Sequence, residues 1–255
     1  MHTVPGGCMS STFELRDAFF NMSNYFLDNG QGMERILFGL LHQESQAYDQ
    51  FVTEDVTNFL RANDSLPRDD LLSRNIQRAR EHGLPGYNNF RSQFCDLPIS
   101  CNWDTAPEGV SADKWSELQM LYDNPGDIDL FTGEGILIFL VSSCPLKLNY
   151  HFFQGGLAEK PASGAVVGPT FQCLIGEQFR RAKFGDRFFF THRTSEALKT
   201  PGFNNKQLNN LKGRRLGDIL CDNTEFEMSK QNVFLQGKLD LPCCSINKLD
   251  LSLFV

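Results

Sequence analysis

The chain has 255 residues, of which 41% are hydrophobic and 22% charged, and its formal net charge is −7. This is the balance of a folded globular protein, long enough for one large domain or two small ones. The acidic balance and the lack of a Lys/Arg run argue against a nucleic-acid surface, and no apolar run reaches the roughly 20 residues of a membrane-spanning helix.

In chain order, apolar residues recur at helical spacing over 14–26, 33–43 and 48–62, which predicts three helices. The stretch "RDDLLSRNIQRAREHGLPG" (68–86) predicts a fourth, with acids in its first turn, bases in its last, and Gly83 then Pro85 as the stop. A fifth is predicted over 112–122. Next comes "GEGILIFLVSSCPLKLNYHFFQGG" (133–156), apolar and almost uncharged, which by itself reads as a buried strand or a loop anchor. The segment 168–186 predicts a helix with Phe171, Leu174, Ile175 and Phe179 on one face, and "NKQLNNLKGRRLGDILCDN" predicts two shorter ones. Few or no alternating strand patterns occur, so the expected class is mainly α, as one helical domain.

Eight cysteines stand at 8, 95, 101, 144, 173, 221, 243 and 244. None forms a C-x-x-C pair, so a structural zinc site is not expected, whereas an even, widely spaced set fits disulfides in an oxidising compartment. Asn21 and Asn63 head glycosylation sequons, which add weak support for secretion. The opening residues, "MHTVPGGCMSS", lack the basic and apolar regions of a signal peptide and pull against it.

On the 68–86 helix, Leu71, Leu72, Asn75, Ile76 and Ala79 share one side, with Arg78 and His82 close to it. Asn75 is thus a polar residue within an apolar stripe. It either makes a local hydrogen bond at the stripe edge or orients the imidazole of a ligand.

"RNIQRAREHGLPGYNNFR" (74–91) resembles the signature helix of the animal haem peroxidases, the group of myeloperoxidase and peroxidasin. The similarity extends through "LRDAFFN" (15–21), "FVTEDVTNFL" (51–60), "LYDNPGDIDLF" (121–131), "GLAEKPASGAVVGPTFQCLIGEQFRR" (156–181), "GDRFFF" (185–190) and "ILCDNT" (219–224). The fold it implies is the C-terminal, proximal-side part of the peroxidase helical domain, over 1–245, with 246–255 as a tail. The cofactor it implies is haem b, with hydrogen peroxide and a halide, small aromatic or tyrosyl donor as reactants, and an extracellular location.

Residue by residue, the resemblance makes His2, in "HTVP", the axial ligand of the haem iron, although a histidine at position 2 alone reads as a disordered terminal residue. It makes Asn75 the acceptor that fixes the tautomer of that imidazole and raises its basicity. Arg78 would pair with a haem propionate, where it otherwise reads as a solvated helix charge. The implied disulfides are Cys95 with Cys173, and Cys221 with Cys243 or Cys244. Cys8, Cys101 and Cys144 receive no partner.

In the family, a distal histidine and arginine that cleave peroxide, and a calcium loop, precede the proximal histidine. This sequence starts at that histidine, so the expectation is a fragment without the distal half or the calcium site, binding haem poorly for want of one pocket wall. The alternative is a short, non-enzymatic binding module, and a third reading is one portion of a larger multidomain peroxidase. The family runs "DIDLF-x-G-G" directly into "L-x-E", whereas here 134–155 intervene. This suggests an insertion, such as a translated intron, forming a poorly packed surface loop.

Overall fold

The computed structural model describes residues 13–49, 51–60, 69–130, 155–192, 202–230, 232–235, 240–245 and 248–254. His2, Cys8, Asn63, Cys144 and nearly all of the 134–155 stretch lie outside them. The chain divides into two compact units, one of Met1–Asn21 with Ala47–Gln178, the other of Met22–Gln46 with Phe179–Val255.

In the first unit, the helix predicted over 14–26 is cut to one turn, α1 (Leu15–Ala18). The break falls at Phe20, whose φ of 58° takes the backbone out of the helical region. The helix predicted over 48–62 shrinks likewise to α2 (Glu54–Thr57), because the Thr53 side chain accepts from the Asp55 N–H and starts the helix there. The signature segment forms α3 (Leu71–Glu81), shorter than 68–86 at both ends. Asp70 caps its start, accepting from the N–H groups of Leu72 at 2.7 Å and Ser73 at 3.0 Å. Its end is a Schellman turn, with Gly83 at φ +65° and the Leu84 N–H donating to Ala79 O at 2.9 Å. The histidine of "EHGLPG" is therefore the C-cap, and the stop lies two residues earlier than Pro85 alone would set it.

A short helix not anticipated from periodicity, α4 (Tyr87–Asn89), runs on into a π-type turn over Phe90–Phe94. Next is α5 (Ala112–Gln119), capped by Ser111, which buries Trp115 and Leu118. These two join Tyr87, Val110, Ile128 and Ala158 in the core, with Trp103, Leu121, Tyr122 and Leu130 packed around them. At about 1.5–3 kcal/mol for each large apolar side chain fully buried, this cluster is the main adhesive of the unit. The turn α6 (Gly155–Ala158) lies against it, and a Cβ on Gly156 would come within 2.4 Å of the Phe171 ring, so only glycine admits that contact.

The last helix to start in this unit is α7 (Pro169–Gly185), close to the predicted 168–186. Its expected apolar face is only partly covered: Phe171 and Leu174 are half-buried, while Ile175 and Phe179 are exposed.

The second unit contains α8 (Leu27–Gly30) and α9 (Gly32–His42), the latter in the place of the predicted 33–43 helix. Phe38 stacks on His42 and meets Phe226 edge-on. The two predicted short helices are α10 (Asn205–Lys212), begun by a reciprocal Asn204/Gln207 capping box, and α11 (Leu216–Asn223). A two-stranded antiparallel sheet pairs β1 (Met228–Lys230) with β2 (Asp240–Pro242), Ser229 opposite Leu241. The fold class is mainly α, as expected. Among the described residues, no helix is long and apolar enough to cross a membrane.

Candidate functional site

Helix α3 positions the residues singled out for function. Leu72 is buried on its inner side, and Asn75, Ile76 and Ala79 are half-buried beside it. Arg78 and His82, one turn further on each time, are exposed. The other side chains of the helix are mostly committed. Arg74 is paired with Asp69, Gln77 donates to Glu81 at 3.2 Å, and Arg80 is paired with Asp129. Asn75 and Arg78 have no hydrogen-bond or ion-pair partner among the described residues. A half-buried amide oxygen and an uncommitted guanidinium therefore share one stretch of helix surface. That donor and acceptor set fits an imidazole N–H and a carboxylate, the two groups that a haem with a histidine axial ligand presents to its protein. His2, which would bring the imidazole, lies outside the described residues.

Sequence reasoning missed two polar clusters in this unit. The first backs α3. Arg80 binds Asp129 in a fork, Nε to Oδ1 at 3.0 Å and Nη2 to Oδ2 at 2.6 Å, and the Tyr122 hydroxyl donates to the same Oδ2 at 3.0 Å. Hydrogen bonding to Asp129 holds the Arg80 guanidinium still further above its ordinary range. Burial, then the charge of Asp129, pushes the Tyr122 phenol up.

The second cluster is fully buried. Glu159, 1% exposed, faces Arg91, also 1% exposed, in an ion pair. The Tyr87 hydroxyl and the Thr170 hydroxyl donate to Glu159 Oε1 at 2.7 and 2.5 Å, and the Thr170 N–H donates to Oε2 at 2.8 Å. Arg91 spends its remaining donors on Pro98 O at 2.8 Å and Glu108 O at 3.3 Å. Every lone pair and proton of a buried charge pair needs this kind of partner. Desolvation, then the Glu159 charge, drives the Tyr87 phenol well above its ordinary range. The sequence signal was available: Glu159 sits in Gly-Gly-Leu-Ala-Glu, an acid in an otherwise small and apolar run, and an unpaired acid there would have been costly.

Disulfides join Cys95 to Cys173, with Cα atoms 5.9 Å apart, and Cys221 to Cys243, with Cα atoms 5.4 Å apart. Of the pair left open at 243 and 244, the structure uses Cys243. Cys101 is a free, exposed thiol. Asn21 of the first sequon is exposed. Among the described residues no group of three or more His, Cys, Asp or Glu side chains could hold a metal ion by itself.

The family model described as animal haem peroxidase matches residues 3–136 and 149–234. Peroxidase-like protein 3 of Lottia gigantea is 32% identical over 222 residues, 86% of this chain and 62% of that protein. Peroxidase mlt-7 of Caenorhabditis elegans is 36% identical over 187 residues, 72% of this chain and 22% of its own length. Thyroid peroxidase of Sus scrofa is 31% identical over 248 residues, 94% of this chain and 23% of its own. Among solved structures, Peroxidase A from Dictyostelium discoideum is similar, with 31% identity and a TM-score of 0.49 over 66% of this chain and 27% of that one. The chain thus spans from 22% to 62% of the length of these curated relatives. With the family match running through α3, its cap and the Glu159 segment, this chain belongs to the animal haem peroxidase family.

Proposed function

We propose that this chain supplies the proximal side of a haem b site in a peroxidase that uses hydrogen peroxide to oxidise a halide or an aromatic donor. The observation that carries this is the α3 surface, where a half-buried Asn75 amide and an uncommitted Arg78 guanidinium lie one turn apart. His2 would hold the iron as axial ligand. Asn75 would accept a hydrogen bond from the other ring nitrogen of that imidazole, fixing its tautomer and raising its basicity. Arg78 would neutralise a propionate through its planar fork. When bound, the haem supplies the reduction of peroxide and the oxidation of the donor. The chain's own work on this side would be to orient the ligand and to accept a hydrogen bond from its second ring N–H at the Asn75 amide oxygen.

The test is a titration of the chain with ferric haem, followed by the Soret band. His2→Ala and Asn75→Leu are each expected to weaken binding, by about tenfold or more for Asn75, which would act through the imidazole. Wild-type affinity and spectrum in His2→Ala overturn the assignment.

Two further readings accompany it. The family match stops at 136 and resumes at 149, which supports 134–155 as an insertion into a peroxidase domain over 1–245. Transcripts that cover codons 134–155 uniformly, with no shorter form, would count against a retained intron there. Two disulfides support an extracellular setting, since such bonds persist in oxidising compartments.

A further inference from the structure

We propose that Asp129, held between Arg80 and Tyr122, is a positioning residue that seats helix α3 and so places Asn75 and Arg78 toward the haem side; the role assigned to that surface is the haem reading above.

Arg80 is two residues beyond Arg78, roughly 200° around the helix, and about 140° from Asn75. The fork to Asp129 therefore grips the back of α3 while the other face stays free for ligand. A single grip on the back would leave the helix free to slide or roll, but three more contacts flank it. The Tyr122 hydroxyl fixes the Asp129 carboxylate from the core side. The Tyr87 N–H donates to Ile128 O at 2.7 Å, one residue from Asp129. Asn88 Nδ2 donates to Pro125 O at 3.1 Å, and a Cβ on Gly86 would meet Ile128 O at 2.9 Å, so the chain leaving α3 lies hard against the 125–129 segment. The last two hydrogen bonds are directed at backbone carbonyls and tie down the exit of the helix. Of these contacts only the Asp129 fork reaches a side chain of the helix itself, and the Asp129 side chain is only 13% exposed while that of Arg80 is 53% exposed. A carboxylate that is nearly buried and doubly bound is the fixed partner, and Arg80 is the arm that docks onto it.

The consequence is specific. Without the grip, Asn75 loses registry with the axial imidazole, the imidazole becomes a weaker donor to the iron, and the ferric state is less favoured. The test uses the full chain as wild type, Asp129→Asn, Tyr122→Phe, and Asp69→Asn as a control that removes an ion pair from the start of the same helix. Amide hydrogen exchange without haem reads the seating of α3. Haem affinity and the ferric/ferrous potential of the loaded fraction read its effect on the ligand. Asp129→Asn is expected to speed exchange over Gln77–His82 about fivefold, the factor for loss of one modest contact. It is also expected to weaken haem binding about tenfold, the low end for lost outer-shell support, and to raise the potential of the loaded fraction. Tyr122→Phe should move all three less, and Asp69→Asn should leave the potential unchanged. General unfolding lowers the loaded fraction without moving its potential, so the potential separates positioning from mere stability. Wild-type loading with an unchanged potential in Asp129→Asn overturns this proposal alone. Haem uptake by the wild-type chain that, however small, is unchanged in His2→Ala and in Asn75→Leu overturns the haem reading and this proposal together.

Discussion

Glu159→Gln tests the buried centre of the first unit. The carboxylate receives four donors, from Arg91, the Tyr87 hydroxyl, the Thr170 hydroxyl and the Thr170 N–H. A glutamine must turn its NH2 either toward the three donors on Oε1 or toward the Thr170 N–H on Oε2. Both orientations set donor against donor, and both leave the Arg91 charge buried at 1% exposure without its counter-ion. Removing one partner of a buried pair costs about 3–5 kcal/mol, because the remaining charge cannot be resolvated. Against a typical domain stability of about 5–15 kcal/mol, that is about a fifth of the total or more. Urea unfolding followed by tryptophan fluorescence reads this unit directly, since Trp115 lies in its core and Trp103 packs against it. The expected result is a lower midpoint with an unchanged slope. Arg91→Leu with Glu159→Leu should be less destabilising than either change alone would suggest, since neither charge is then stranded. A loss below about 1 kcal/mol in Glu159→Gln, the size of a surface pair, would refute the reasoning.

The remaining predictions concern the cross-links and the phenols. In the loop-entropy account, the Cys95–Cys173 bond, which spans 78 residues, stabilises by about 4.5 kcal/mol and the Cys221–Cys243 bond, spanning 22, by about 3.4 kcal/mol. Cys95→Ala should therefore lower stability more than Cys221→Ala under non-reducing conditions, and the reverse order in denaturant midpoints would reject the account. Burial pushes the Tyr48 phenol up to about 12, and Tyr87 and Tyr122 are shifted the same way. Unfolded tyrosines titrate near pH 10, so between there and pH 12 the folded chain holds more protons than the unfolded one. Stability contributed by these phenols is thus complete below about pH 10 and is lost as pH rises through the folded values. Phenolate absorbance should show late ionisation that Tyr48→Phe, Tyr87→Phe and Tyr122→Phe each reduce; one complete step near pH 10 would contradict it.

Helices with their own punctuation were legible. The 68–86 stretch carried acids, bases, a glycine and a proline in the right order, and α3 forms inside it with Asp70 and Gly83 as its ends. Segments without such signals were overread. The apolar spacing over 14–26 is genuine, yet Phe20 adopts a left-handed conformation that no periodicity announces. The 48–62 pattern placed its apolar residues well enough, but Thr53 sets the start of α2 by a side-chain bond to the Asp55 N–H, and periodicity does not register a cap. The turn from α4 into the π-type segment was invisible for a different reason: Tyr87, Asn88 and Arg91 are placed by long-range partners such as Ile128 O, Pro125 O and Glu159, not by their neighbours in sequence.

The site was legible in the same uneven way, and the unevenness has a physical cause. Asn75 could be picked out because a polar residue in an apolar stripe is a local fact about one helix, whereas Arg78 by itself reads as a solvated charge and takes its role only from the family resemblance. What fixes that helix, and the buried centre of the same unit, is not local. Asp129 lies 49 residues from Arg80, and Glu159 lies 68 from Arg91. Neither acid names its partner: Asp129 looks ordinary in Asp-Ile-Asp-Leu-Phe, and Glu159 stands out in its small, apolar run only as an acid that needs some counter-charge. Only folding reveals that both are committed, and commitment is what distinguishes them from Arg78. Arg74 and Arg80 have spent their charge on Asp69 and Asp129, and Arg91 on Glu159. Arg78 is the arginine of α3 with no such partner among the described residues. Three arginines along one helix look alike as letters, and only the folded chain shows that two of them are paired while the third is left uncommitted among the described residues.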